Sequence, residues 1–435
     1  AMAMSRDSSP GPGSGPDLTE AMVDGTPDRA SDGASEALLE ALPEAMSAEA
    51  ALAELSVLRE RVLQADRQRR PLWLRGAGSK DFLGEPPGGD LLDLTRLRGV
   101  VSYEPTELVV TARGGTSLDA VQALLARHGQ MLAFEPPAFG PRSTIGGVVA
   151  AGLSGPRRMA SGSVRDFVLG AALMPASGEL LYFGGQVMKN VAGYDVSRLL
   201  TGSMGILGVI TEVSLKVLPV PAAQASLRMP VPGSRIIRLL NEWGGQPLPI
   251  SATAWSPPAH GLGGTDEPGV LTVRLSGARA AVEHAAARIG ESFAADGAVR
   301  LDAAEADRYW ADVRDHRDPF FATDEPLWRL SLPSTASLTD LPDLGDGRQF
   351  VEWGGALRWL RTAADASIVR AAAQHLGGTA MLFRGGWRTG GQAGRSTSFG
   401  IFHPLAPVNM RLHRNLKQAL DPHGIFNPGR MYRGL

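Results

Sequence analysis

Apolar residues recur along this chain in two rhythms. From Leu52 through Leu55 and Leu58 to Val62 they return every three or four positions, with Glu54 and Glu60 on the other face, which predicts an amphipathic helix. Leu38, Leu39 and Leu42 precede it as a separate group, cut off by Pro43. Pro71 to Leu74 predicts a buried strand entering a Gly-containing loop, and Leu108 to Ala112 predicts another. Gly114-Gly115 then turn the chain. Thr116 or Ser117 can cap a helix carrying Leu118, Val121 and Leu125 on one face and ending before Gly129. From Gly208 the period drops to two: Val209, Thr211, Val213, Leu215 and Val217 alternate with Ile210, Glu212, Ser214 and Lys216, predicting a strand with one more polar face. Pro219 and Pro221 end it. A helical rhythm returns with Leu412, Leu416 and Leu420 and stops at Asp421-Pro422 and Gly424.

Composition changes this picture at both scales. A length of 435 residues suggests two or three domains, and 43% hydrophobic residues supply a sizeable core. Residues 5–35, rich in Ser, Pro, Gly and Asp, cannot bury enough surface to offset chain entropy. The expected organisation is a disordered extension over 1–48, a first domain over 49–222, a second, reduced one over 223–399, and a closing segment over 400–435. The boundary is set by the composition change near Val220–Ser226. The absence of cysteine excludes disulfides, cysteine-held iron–sulfur clusters and a cysteinyl link to a flavin. A formal charge of -2 argues against general nucleic-acid binding. No apolar run reaches membrane-spanning length, and no signal-peptide core is visible. The expectation is a soluble, intracellular protein.

Three small-residue segments carry candidate chemistry. RGAGSK (75–80) follows a strand, so successive backbone N–H groups can face one concavity suited to a diphosphate; taken alone, a Gly-rich strand-to-strand turn is the more frequent explanation. There is no GxGxxG and no GxxxxGK[ST], which lowers the odds of NAD binding and ATP hydrolysis. STIGGVVAAGLSG (143–155) lets a large planar ligand lie against the backbone, or packs as a core helix. Gly202, Gly205 and Gly208 lead into the alternating strand, where main-chain groups can read an adenine edge.

In order along the chain, RGAGS, TIGG, SVRDFVLG, KNVAGYD and GSMGILGVITE resemble the FAD-binding domain of the vanillyl-alcohol oxidase / p-cresol methylhydroxylase (PCMH) family, and ALDPHGIFNPGRM (419–431) is similar to its closing segment. Within that family, GQMLAFEPP, GGVVAAGLSGPRR, FGGQVMKNVAGYDVSRLL, LWRLSLPS and EWGGALRWL resemble the flavin-carrying subunits of bacterial glycolate oxidase. The likeness spans roughly residues 50–435. It implies an α+β fold: a PCMH-type FAD domain, a reduced α/β cap domain and a C-terminal segment returning to the FAD domain.

The resemblance also implies roles. Arg75, Gly76, Ala77, Gly78, Ser79 and Lys80 would wrap the FAD diphosphate. Pro137, Thr144, Ile145, Gly146 and Gly147 would lie against pyrophosphate and isoalloxazine, and Gly152, Ser163 and Asp166 would complete the pocket. Gly208 and Ile210 would meet adenine through the main chain, and Asn427 would approach the flavin ring. Ser79 stands where many relatives tether flavin through histidine, so FAD is expected noncovalently bound. Met204 replaces a glutamate common in relatives. Arg329 and Arg361 are candidates to grip a substrate carboxylate, each against the alternative of an internal ion pair. Lys189, Tyr194 and Asp195 would face the flavin or fix their loop. The HxGDGNxH run of the family's 2-hydroxy acid dehydrogenases is absent, and no metal site is expected. The implied role is therefore an FAD subunit of a glycolate oxidase acting on glycolate or D-lactate, beside a dehydrogenase-like D-type flavin subunit and an iron–sulfur F-type subunit. The alternatives are a self-sufficient FAD-dependent 2-hydroxy acid dehydrogenase and a non-catalytic assembly subunit.

Overall fold

The computed structural model describes residues 44–86, 88–185, 195–258, 267–341, 344, 348–385 and 399–435. Nearly all of the expected N-terminal extension, and Lys189 and Tyr194, lie outside these residues. The first region runs α1 (Ala48–Gln68), β1 (Leu72–Arg75), β2 (Asp90–Asp93), β3 (Val100–Glu104), β4 (Val109–Arg113), α2 (Leu118–Arg127), β5 (Gln130–Met131), α3 (Ile145–Ala151), α4 (Arg158–Ser161), α5 (Val164–Phe167), β6 (Val168–Met174), β7 (Leu181–Gly184), α6 (Val196–Leu199), β8 (Val209–Lys216) and β9 (Leu218–Pro219). The second runs β10 (Ala223–Pro232), α7 (Gly233–Gly244), β11 (Ile250–Ser256), β12 (Pro268–Gly277), α8 (Arg279–Ser292), β13 (Val299–Arg300), α9 (Ala303–Arg314), β14 (Leu327–Ser331), β15 (Arg348–Glu352), β16 (Leu357–Arg361), α10 (Ala366–His375) and β17 (Thr379–Arg384). The last helix is α11 (Pro407–Leu420).

The first region is built on a five-stranded antiparallel sheet of order β3-β4-β8-β6-β7, with β1 and β2 paired in parallel beside it. The second is built on an eight-stranded antiparallel sheet of order β13-β10-β12-β11-β15-β16-β14-β17. Helix α1 starts at Ser47, whose hydroxyl accepts the Ala50 N–H. It buries Ala51, Leu58, Val62 and Ala65. Leu52, expected on that stripe, falls one position off it and is 64% exposed. On the more polar face of β8, Glu212 and Lys216 stay half-exposed while Ile210 and Ser214 are buried. Its Ser214 hydroxyl pairs with Thr111 at 2.8 Å, and on the opposite face Thr211 donates to the Ala172 carbonyl at 3.1 Å, so neither hydroxyl opposes burial.

The C-terminal stretch returns to the first region. Leu72 bridges Phe426 in parallel, and the Asn427 N–H donates to the Leu72 carbonyl at 3.0 Å. The residue that anchors α11 is Lys417, which lies outside the leucine stripe. Its ammonium donates to the carbonyls of Ile206 (2.7 Å) and Phe426 (2.8 Å) and pairs with Asp421 (2.6 Å). Leu412 stays exposed. The two regions are clamped by Glu135, which binds Arg157 at 3.3 Å and Arg274 of β12 at 2.9 Å. Burial opposes charge on the Glu135 carboxyl, but the two guanidiniums hold it below the usual carboxylate range.

Candidate functional site

Where β1 ends, residues 75–81 curl around a cleft. Its far wall is α3, represented by Thr144, Gly147, Ala150 and Ala151, and its rim is closed by Met204, Asn427 and Arg430. The backbone N–H groups of residues 76–80 bond to no acceptor among the described residues. Buried or half-buried N–H groups are nearly always paired. These five consecutive donors run through Gly78, at φ 78° in the left-handed region, which makes the turn a candidate anion-receiving nest. Gly147 faces the cleft: a Cβ built there meets only the Thr144 hydroxyl within 4 Å.

Side chains reinforce the nest. Arg75 pairs with Asp81 at 2.6 Å and lies over Trp73, so its guanidinium is committed to shaping the loop. Lys80 donates to Ser143 Oγ at 2.7 Å, and burial pushes its ammonium down to about 8. Asn427 holds three segments together: its carbonyl accepts the Leu74 N–H at 2.9 Å and its amide donates to the Met204 carbonyl at 2.8 Å. Arg430, which the sequence reading passed over, donates to the carbonyls of Glu85 and Asp81 and lines the cleft, with its pKa lowered to about 10 by burial. Its position within NPGRM was the available signal.

The structure therefore brings together Arg75, Gly76, Ala77, Gly78, Ser79, Lys80, Thr144, Gly147 and Asn427. The other expected residues do not line the cleft. Ile145 is fully buried in the core, and the Gly146 N–H is taken by the Gly114 carbonyl at 2.8 Å. Gly152 ends α3 in the left-handed region beneath Gly202. Asp166 accepts from the N–H and hydroxyl of Ser163 at 2.7 and 2.8 Å, capping α5. Gly208 and Ile210 open β8, with Ile210 buried. Asp195 caps α6.

A second cavity lies between the 137–139 and 153–156 loops of the first region and α9, β14, β15, β16 and β17 of the second. Pro137 and Arg329 line this chamber, along with His316, Glu352 and Trp359. Arg361 does not; its guanidinium is engaged by Glu325 at 3.1 Å, Thr323 at 3.0 Å and the Phe320 carbonyl at 3.4 Å. Among the described residues there is no cluster of metal-ligating side chains, and no helix is long and apolar enough to cross a membrane.

This architecture is that of an FAD-linked oxidoreductase. The sequence matches the FAD binding domain family over residues 49–184 and the C-terminal domain of FAD linked oxidases over 404–431. The chain belongs to the glycolate oxidase subunit GlcE family: it is 45% identical to that subunit from Escherichia coli over 378 residues, covering 87% of this chain and 97% of the relative. It is also 33% identical to glycolate oxidase subunit GlcD of Bacillus subtilis over 163 residues, 37% of this chain and 34% of that one. Among solved structures, 4-ethylphenol oxidase from Gulosibacter chungangensis superposes with a TM-score of 0.62 at 14% identity, covering 87% of this chain and 88% of that one. The fold is thus the α+β architecture of PCMH-type flavoproteins.

Proposed function

We propose that this chain binds one FAD without a covalent tether in the cleft and serves as the flavin-carrying subunit of a complex that oxidises glycolate, or D-lactate, to the 2-oxo acid. The observation that carries this reading is the run of five unengaged N–H groups at 76–80 facing the small-residue wall of α3. A diphosphate supplies the acceptors that these donors lack. Lys80 adds positive charge at the closed end of the nest. Ser79 offers no imidazole for a flavin bond, and the chain has no cysteine. Gly147, Ala150 and Ala151 leave room for a planar ring system. Assignment of the adenine end to Gly208 and Ile210, and of further flavin surroundings to Gly152, Ser163 and Asp166, belongs to the same proposal.

When bound, FAD supplies a two-electron acceptor for hydride. With no cysteine to hold a cluster, onward transfer falls to partners: a dehydrogenase-like D-type flavin subunit and an iron–sulfur F-type subunit, the assembly being cytoplasmic or peripheral at the inner membrane face. The test is to purify a tagged chain from its native host and precipitate it with acid. Co-purification of a second flavoprotein and an iron–sulfur protein, with all flavin released to the supernatant, is expected. Flavin retained on the polypeptide contradicts the noncovalent reading, and a solitary chain contradicts the complex.

A further inference from the structure

Between β17 and α11 the chain passes from the second region back to the first, and one buried cation holds residues 399–402 of that strap. Arg370, on α10 of the second region, is 7% exposed. Its Nη1 donates to the Phe399 carbonyl at 2.7 Å, and its Nη2 lies 2.8, 3.2 and 2.9 Å from the carbonyls of Gly400, Ile401 and Phe402. Four successive carbonyls therefore curl around one guanidinium, a turn that Gly400 permits at φ 75° in the left-handed region. The guanidinium also lies 5.7 Å over Trp328 and 5.5 Å over Phe399. It pairs with no carboxylate among the described residues, and its Nε is buried without an acceptor. A desolvated guanidinium is costly unless its donors are met, so the strap carbonyls are what keep this charge in place.

The strap touches both regions. Ile401 is buried among Trp328, Leu330, Val369 and Leu382 of the second, and its carbonyl also accepts the Leu382 N–H at 3.0 Å. On the other side, the Tyr432 hydroxyl donates to the His403 carbonyl at 3.2 Å. A Cβ built on Gly400 meets only Glu85 Oε1 within 4 Å, so the strap lies against the Glu85 turn. That turn is tied to Arg430 twice: the Glu85 carbonyl accepts from its guanidinium at 2.6 Å, and the Glu85 N–H donates to its carbonyl at 2.9 Å. Arg430 and Asn427, both in the closing segment that the strap leads into, form part of the rim of the cleft. Contacts thus run from α10 through the strap and Glu85 to that rim.

We propose that Arg370 is a positioning residue for the cofactor: it latches the strap, and through the strap the rim, so that FAD enters and leaves the cleft when this latch opens. The proposal rests on the flavin reading of the cleft and adds to it a control seated in the second region. Lifting the strap strips a buried guanidinium of its acceptors, which makes opening infrequent. Uptake and release then share one barrier. Each observed rate is the rate through the open state multiplied by the fraction of chains that are open. With the latch equally strong in empty and loaded chains, that fraction cancels from the equilibrium affinity. A residue that only stabilises the fold has a different signature, because its loss lets cofactor out faster without letting it in faster.

The test is stopped-flow mixing of the flavin-free full chain with FAD for uptake, and dilution of the loaded chain for release, both followed by flavin fluorescence. In Arg370→Met both rates should rise by about tenfold or more, while their ratio changes by less than about threefold. Arg370→Lys keeps the charge but not the planar fork of donors, and should fall between wild type and Arg370→Met. Gly400→Ala strains the strap at its positive φ without entering the core, so it too should raise both rates, and it decides the matter if Arg370→Met does not fold. Unchanged rates in folded Arg370→Met, or faster release matched by an equal loss of affinity, would overturn the proposal. So would wild-type rates in Gly400→Ala where Arg370→Met fails to fold. A wild-type chain that takes up no FAD removes the flavin reading and the latch together. A yellow wild type whose variants exchange FAD at its own rates removes the latch alone.

Discussion

Lys80 stands where the nest closes, and its surroundings determine what it can do. Its ammonium is buried against Ser143 and the Ala138 carbonyl, and desolvation lowers its pKa to about 8. An ammonium attracts a diphosphate and a neutral amine does not. FAD affinity should therefore be constant below about pH 8 and weaken above it, as the free protein loses this charge. Lys80→Met should bind FAD about tenfold more weakly at neutral pH, with no inflection near 8. Fluorescence titrations across pH check this, and an inflection persisting in Lys80→Met would contradict it. At this scale the sequence was legible where backbone does the work. In RGAGSK the small residues leave the N–H groups of 76–80 without a protein acceptor, whereas in TIGG those of Ile145, Gly146 and Gly147 are taken by Thr116, Gly114 and Thr144. Arg430 was harder to read, because its bonds to the Asp81 and Glu85 carbonyls join segments far apart in the chain.

Elements were legible where one face alone meets the core. Helix α2, with Ser117 at its cap and Leu118, Val121 and Leu125 inside, follows the spacing, as does the register of β8. The reading weakened where a polar side chain supplies the contact. In α11 the leucines suggested the inner face, but Lys417 and Asp421 form the junction. Asp421 is 1% exposed and also accepts the N–H groups of Ile425 and Phe426, both at 2.8 Å. This fixes the turn that brings Asn427 onto β1 and the Met204 loop. Asp421→Ala leaves a buried ammonium unpaired and should cost about 3–5 kcal/mol. Chemical denaturation should show it, with weaker FAD retention, because the rim of the cleft is lost. An unchanged midpoint would contradict the assignment.

At the scale of the whole molecule, two antiparallel sheets of different sizes belong to two regions joined through the ion pairs of Glu135 with Arg157 and Arg274. The last strand of the first sheet, β8, ends at Lys216, and the first strand of the second, β10, begins at Ala223. The alternation of strand and helix did not disclose an eight-stranded sheet, because strand order depends on long-range pairing such as β14 with both β16 and β17. Nor could it disclose a chamber walled by both regions. The account as a whole rests on the five bare donors at 76–80 receiving the diphosphate of FAD. Equilibrium titration of flavin-free chain with FAD and with riboflavin, followed by flavin fluorescence, tests it most directly. Uptake of one FAD per chain, riboflavin binding weaker by about tenfold or more, and loss of FAD binding in folded Gly147→Leu are expected. A well-folded chain that takes up no FAD, or that binds riboflavin as tightly as FAD, would contradict the account.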